Sequence, residues 1–219
     1  MVLTPEQARK FYDRFGKKQD TQDFYEDASL DDLIAHADFR HAEHVFEFGC
    51  GTGRFASRLL SQELSSSATY LGVDLSHTMI SIAEPRVASF AARAKVMQTD
   101  GSMTFPLADE SVDRVISTYV FDLLSDEDMQ RAVAEAYRVL IPTGTLCIVS
   151  LTHGTTLLSR MVSGVWSFLC RLYAPMVGGC RPIKLKPLLD PEAWSVQYQN
   201  RVKQFGVTSE VLIAEKKGA

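Results

Sequence analysis

The chain has no Cys-x-x-Cys pair, although it holds four cysteines: Cys50, Cys147, Cys170 and Cys180. That spacing builds neither a zinc knuckle nor a dithiol redox motif, and it reads as structural thiols of a reducing compartment. No metal site is expected. A dense Lys/Arg block is also missing: 23 basic residues face 27 acidic ones, for a net charge of −4. Such a balance builds no polyanion-binding surface, so nucleic acid is not an expected partner. The start of the chain is charged and amphipathic, without the apolar run of a secretory signal, which makes the cytoplasm the expected compartment. No internal repeat or low-complexity segment appears.

What is present is ordinary globular composition, 46% hydrophobic and 23% charged over 219 residues, enough for one domain. One stretch organises it: His44-Val45-Phe46-Glu47-Phe48-Gly49-Cys50-Gly51-Thr52-Gly53-Arg54-Phe55-Ala56. A short apolar run holds an acid, three glycines follow at every second position, and a helix-compatible run from Arg54 to Leu60 comes next. This is strand, tight turn, helix, the opening of a βαβ nucleotide-binding unit. The helix start offers free N–H groups to an anionic part of a ligand.

The spacing separates two ligands. A dinucleotide fingerprint is G-x-G-x-x-G around a pyrophosphate. Here the pattern is Gly49-x-Gly51-x-Gly53, with Glu47 two residues upstream, where a carboxylate would repel a pyrophosphate and attract an ammonium group. A ligand with an amino-acid end and a nucleoside end fits better, and S-adenosylmethionine is one. In these residues the chain resembles the class I S-adenosylmethionine-dependent methyltransferases, whose first motif is E/D-x-G-x-G-x-G. Further resemblances follow in order: Ser76-His77-Thr78-Met79 to the family's S-x-x-M helix start, Phe105 to Asp113 to L-P-F-x-D-x-S-F-D (Val112 replacing Phe), and Tyr137 to Leu146 to Y-R-V-L-x-P-x-G-x-L. They are most similar to the quinone-biosynthesis type, the type 11 subgroup. The resemblance implies an α/β fold: a Rossmann-like, seven-stranded, mostly parallel sheet with helices on both faces and a C-terminal antiparallel strand pair.

Taken in order, Thr4-Pro5-Glu6-Gln7 starts a helix, and Asp31-Asp32 begins another running towards Phe39. Tyr12-Asp13-Arg14-Phe15 is similar to a family segment that covers the ligand; the alternative is plain packing of N-terminal helices. Thr69 to Asp74 is a second strand. Asp74 lies about twenty residues past the last glycine, where such folds bind both ribose hydroxyls. Pro85 splits the next helix, with a second piece from Arg86 to Arg93. Lys95 to Thr99 is a third strand leading to Asp100-Gly101-Ser102, where the family reads adenine. Val112 to Thr118 is a fourth strand, and a helix from Ser125 to Leu140 is stopped by Pro142-Thr143-Gly144. A fifth strand covers Gly144 to Leu151.

The cofactor-binding set that follows is Tyr12, Glu47, Gly49, Cys50, Gly51, Gly53, Asp74, Leu75, Met79, Asp100, Gly101, Ser102, Thr118 and Tyr119. Ligands of open α/β sheets bind at the carboxyl ends of strands, which makes Tyr119, Asp122 and His153 the catalytic candidates. The expected domain, 1–219, divides into an N-terminal helical flap (1–40), a cofactor-binding core (41–152), an apolar helical insertion (153–187) and the strand pair (188–219). The insertion reads as a core helix, a lid over an apolar acceptor pocket, or a face against a membrane surface; the last lacks the dense basic face it needs. The reaction implied is methyl transfer from S-adenosylmethionine, giving S-adenosylhomocysteine, to a small lipophilic or aromatic acceptor. Two rivals stand: a nicotinamide-dependent oxidoreductase and a non-catalytic S-adenosylmethionine-binding module. Oligomeric state is not readable.

Overall fold

The computed structural model describes residues 2–154 and 179–218. Seven strands form one sheet: β1 (His44–Phe48), β2 (Thr69–Asp74), β3 (Ala94–Gln98), β4 (Val112–Thr118), β5 (Leu140–Leu151), β6 (Trp194–Gln204) and β7 (Val207–Lys216). Their order is β3-β2-β1-β4-β5-β7-β6. Strands β1 to β5 pair in parallel, whereas β7 runs antiparallel to both β5 and β6. The expected sheet and terminal antiparallel pair are therefore the ones observed. Order reverses between β1 and β4, which opens a crevice at their carboxyl ends.

Side-chain alternation explains why both faces are covered. Along β5, Leu146 and Ile148 face one core while Cys147 and Val149 face the other; β7 repeats this with Leu212 and Ala214 against Val211 and Ile213. The first core takes in α2 (Asp23–His36), α3 (Arg54–Arg58) and α4 (His77–Val87), and the second takes in α5 (Asp126–Val139). The ends of α1 (Pro5–Phe15) and α5 follow their sequence signals. Thr4 closes a capping box with Gln7, and Ser125 accepts from the Asp128 N–H at 3.0 Å.

Several boundaries differ from expectation. Pro85 does not split its helix, which continues to Val87 before a short 3-10 turn at Ala88–Phe90. Proline costs the helix one hydrogen bond, and burial of Ala83 and Val87 offsets that loss. The second N-terminal helix begins at Asp23 rather than Asp31 and ends at His36; a left-handed Asp38 (φ 50°) then turns the chain into Phe39. The fifth strand starts at Leu140, four residues early, because Ile141 to Gly144 bulge out and pairing with β4 resumes at Thr145. Residues 155–178, most of the expected insertion, lie outside the described residues. Among the described residues no helix is long and apolar enough to cross a membrane.

Candidate functional site

The crevice between β1 and β4 is a cavity roofed by the N-terminal helix. Its floor is the turn after β1. The Gly49 and Cys50 N–H groups both donate to the Val73 carbonyl, at 2.8 and 2.9 Å, which folds the turn back across β2. A Cβ on Gly49 would come within 2.2 Å of Val120, and Gly49 has φ 83°. Gly51 differs: a Cβ there would meet nothing within 4 Å, so its backbone faces open space. Gly53 caps α3 at φ 73°, and its missing Cβ lets Ala83 of α4 approach.

Two carboxylates reach the cavity from the strand ends. Glu47 is 1% exposed and accepts from the Tyr70 hydroxyl. Burial, aided by the Asp74 charge, pushes its carboxyl up to about 7. Asp74 accepts from the Gly51 N–H at 2.9 Å and the Ser76 N–H at 2.8 Å. Burial raises it to about 6 despite those donors. Neither carboxylate has a salt bridge among the described residues. Two neighbouring acids without a cation, Glu47 buried and Asp74 half-buried, suit a ligand that brings positive charge and hydroxyl donors.

The roof is held by carboxylates as well. Asp13 of α1 accepts from the Ser76 hydroxyl at 2.6 Å and the Thr78 N–H at 3.2 Å. Asp20 pairs with Arg86 and accepts from the Thr52 hydroxyl at 2.6 Å; the guanidinium holds Asp20 below the usual carboxylate range. Arg54 bridges Glu26 and Asp27. These contacts fix Leu3, Pro5, Ala8 and Tyr12 over the glycine turn.

Of the residues singled out from sequence, Tyr12, Glu47, Gly49, Cys50, Gly51, Asp74, Leu75, Met79, Gly101, Thr118 and Tyr119 line this cavity. Gly53 does not; it packs α3 on α4. Asp100 is exposed and accepts from the Ser102 N–H at 2.8 Å, and both stay outside the lining. His153 is exposed and also outside it. Asp122 is fully buried behind the lining in the turn after β4. Tyr119 adopts a left-handed backbone (φ 57°), and its hydroxyl meets Ser209 at 2.9 Å. Gln19, Asp20 and Glu26 line the cavity too, without a sequence signal that pointed to them, as do Thr52 and Arg54. Thr52 and Arg54 lie within the glycine stretch itself, where only the glycines, Cys50 and Glu47 were expected to bind.

Comparison with known proteins agrees with this geometry. Residues 46–148 match the family described as "Methyltransferase domain". An uncharacterized methyltransferase of Geobacillus sp. is 31% identical over 114 residues, 52% of this chain and 49% of that protein. A demethylmenaquinone methyltransferase of Symbiobacterium thermophilum is 28% identical over 52% of this chain and 44% of its own length. The chain spans about half the length of the curated relatives it matches. The solved complex between the Haloferax volcanii Trm112 methyltransferase activator and a putative methyltransferase contains a chain similar in fold. Its TM-score is 0.74 at 14% identity, covering 97% of this chain and 98% of that one.

Proposed function

We propose that this chain, a class I S-adenosylmethionine-dependent methyltransferase by its core at residues 46–148, moves a methyl group from that cofactor to a small acceptor. The observation that carries the reading is a pair of carboxylates, Glu47 buried and Asp74 half-buried, facing the cavity without a cation. They fit the cofactor's ammonium and ribose, and they would repel the pyrophosphate of a nicotinamide dinucleotide. When bound, the cofactor supplies an electrophilic methyl on a sulfonium.

In this reading Glu47 holds the ammonium, Asp74 takes the ribose hydroxyls, and Gly51 leaves room for close approach. Leu75, Met79 and Gly101 flank the base. Tyr12 and Tyr119 wall the reacting end, where aromatic faces exclude water and attract a sulfonium by about 0.5–2 kcal/mol each. Holding both substrates in line supplies most of the rate, up to about 7–11 kcal/mol of effective concentration. The acceptor is small, and the aromatic wall suits a lipophilic or aromatic one.

Calorimetry with S-adenosylhomocysteine and with NAD, on wild type and Asp74→Ala, tests the reading. Binding of the first alone, lost in the variant, supports it. Binding of NAD, or of neither, overturns it.

A further inference from the structure

Beneath the glycine turn, one buried side chain outside the cavity lining is joined to the acid that faces the ligand. Tyr70 of β2 is 3% exposed, and its hydroxyl donates to Glu47 Oε2. Among the described residues that hydroxyl is the carboxylate's sole donor. Oε1 accepts nothing from the described residues. Unlike the oxygens of Asp122 it is not sealed off, and it opens into the cavity that Glu47 lines.

The strand is cut away to permit this contact. Glu47 pairs with Gly72 in the β1–β2 register, and Tyr70 lies two residues along β2, on the same face. A Cβ on Gly72 would come within 2.7 Å of the Tyr70 hydroxyl and 2.9 Å of the Cys50 Cβ. Gly72 is not among the glycines with positive φ, so its conformation does not call for glycine. The space for the phenol does. Glycine inside a strand weakens it, and β2 accepts that loss where the hydroxyl reaches the acid.

We propose that Tyr70 is a positioning residue for the cofactor's amino-acid end, holding one Glu47 oxygen so that the other faces the ammonium group. The proposal rests on the methyltransferase reading and deepens its account of that end of the site. Tyr70 itself touches neither substrate nor the methyl group; it acts through Glu47. The bond fixes the carboxylate's rotation. It also favours the charged form, because a donated hydrogen bond stabilises the anion that accepts it. Burial already pushes Glu47 up to about 7, and without the Tyr70 donor the acid would hold its proton higher still. A protonated Glu47 cannot pair with an ammonium. The titratable groups facing it are Tyr70 and Asp74 of β2 and Cys50 in the turn, and none brings a positive charge to replace the donor. Burial holds the Tyr70 phenol well above its usual range, so it stays a donor at every working pH.

The test is calorimetry with S-adenosylhomocysteine and with 5′-methylthioadenosine, which lacks the amino-acid end. It compares wild type, Tyr70→Phe, Glu47→Gln and the double variant, each checked for folding by thermal melting. At pH 6.5, Tyr70→Phe is expected to weaken S-adenosylhomocysteine about tenfold or more and to leave methylthioadenosine unchanged. That loss shrinks as pH rises towards 9, where Glu47 ionises without the donor's help. The ligand's own titration is common to all variants and cancels in the ratio. In the Glu47→Gln background the same change has no further effect. Tyr70→Met, which fills the space without a hydroxyl, is the second variant and gives the same selective loss. Equal losses for both ligands, no loss, a loss constant with pH, or the same loss in the Glu47→Gln background would each overturn the role of Tyr70 and leave the cofactor reading standing. Failure of wild type to bind either nucleoside overturns both.

Discussion

Glu47 carries the argument at the scale of single residues. Its sequence position, two before the first glycine, predicted an acid facing the ligand, and the structure puts it in the cavity beside Asp74. The other acids are less legible. Asp100 sits one residue from the lining, because a turn that closes on the Ser102 N–H aims its carboxyl outward. Turn orientation is set by tertiary packing, which no short motif records. Asp20, Glu26 and Arg54 were invisible for another reason: their partners lie 66, 28 and 27 residues away in the chain, and such pairs leave no periodic trace. Replacing Glu47 by Gln removes the negative partner of an ammonium while keeping the shape. A hydrogen bond to a charged group is worth about 1.5–3 kcal/mol, so S-adenosylhomocysteine affinity should fall at least tenfold in calorimetry. An unchanged affinity would remove Glu47 from the site.

At the scale of elements, strands and turns were read well because burial and alternation set them locally. The three glycines looked alike in the sequence yet do different work. Gly49 clears Val120, Gly51 opens onto the cavity, and Gly53 brings α3 against α4. Gly53→Ala therefore acts on stability more than on ligand contacts. Its Cβ would sit 2.9 Å from that of Ala83, at a backbone φ of 73°. The left-handed backbone costs about 1–2 kcal/mol, and overpacking adds about 1–3 kcal/mol. An unfolding free energy lower by roughly 2 kcal/mol or more, read as a lower urea midpoint at constant slope, is expected. An unchanged midpoint would show that the two helices do not need this approach. Pro85 and the early start of β5 mark the opposite case, where tertiary burial and a bulge overrode local breakers.

The whole molecule keeps four acids protonated more readily than water would. Burial raises Glu26, Glu47 and Asp122 to about 7 and Asp74 to about 6. The folded chain thus binds these protons more tightly than the unfolded one. Their contribution to stability is full below the ordinary carboxylate range, near about 4, and is lost as pH rises through 6 to 7. Asp13, Asp20 and Glu135, held low by their partners, act in the opposite sense only at more acidic pH. The ligand-free protein should lose on the order of a few kcal/mol between pH 5 and pH 8. For a chain of this size, each kcal/mol shifts Tm by about 2–4 °C. Tm rising across that window would contradict the burial of these acids. Bound cofactor should shrink the loss by giving Glu47 and Asp74 their missing partners.

The same linkage gives the most direct test of the cation-seeking cavity. S-adenosylmethionine binding can be followed by calorimetry at pH 6.5 in two buffers of different ionisation enthalpy. Glu47 and Asp74 are partly protonated in the free protein at that pH, and a cationic ligand lowers both. Binding should release protons to the buffer, by a fraction that shrinks at pH 8 and disappears with Glu47→Gln plus Asp74→Asn. Proton uptake, or no exchange in wild type, would contradict the assignment of these two carboxylates to the cofactor.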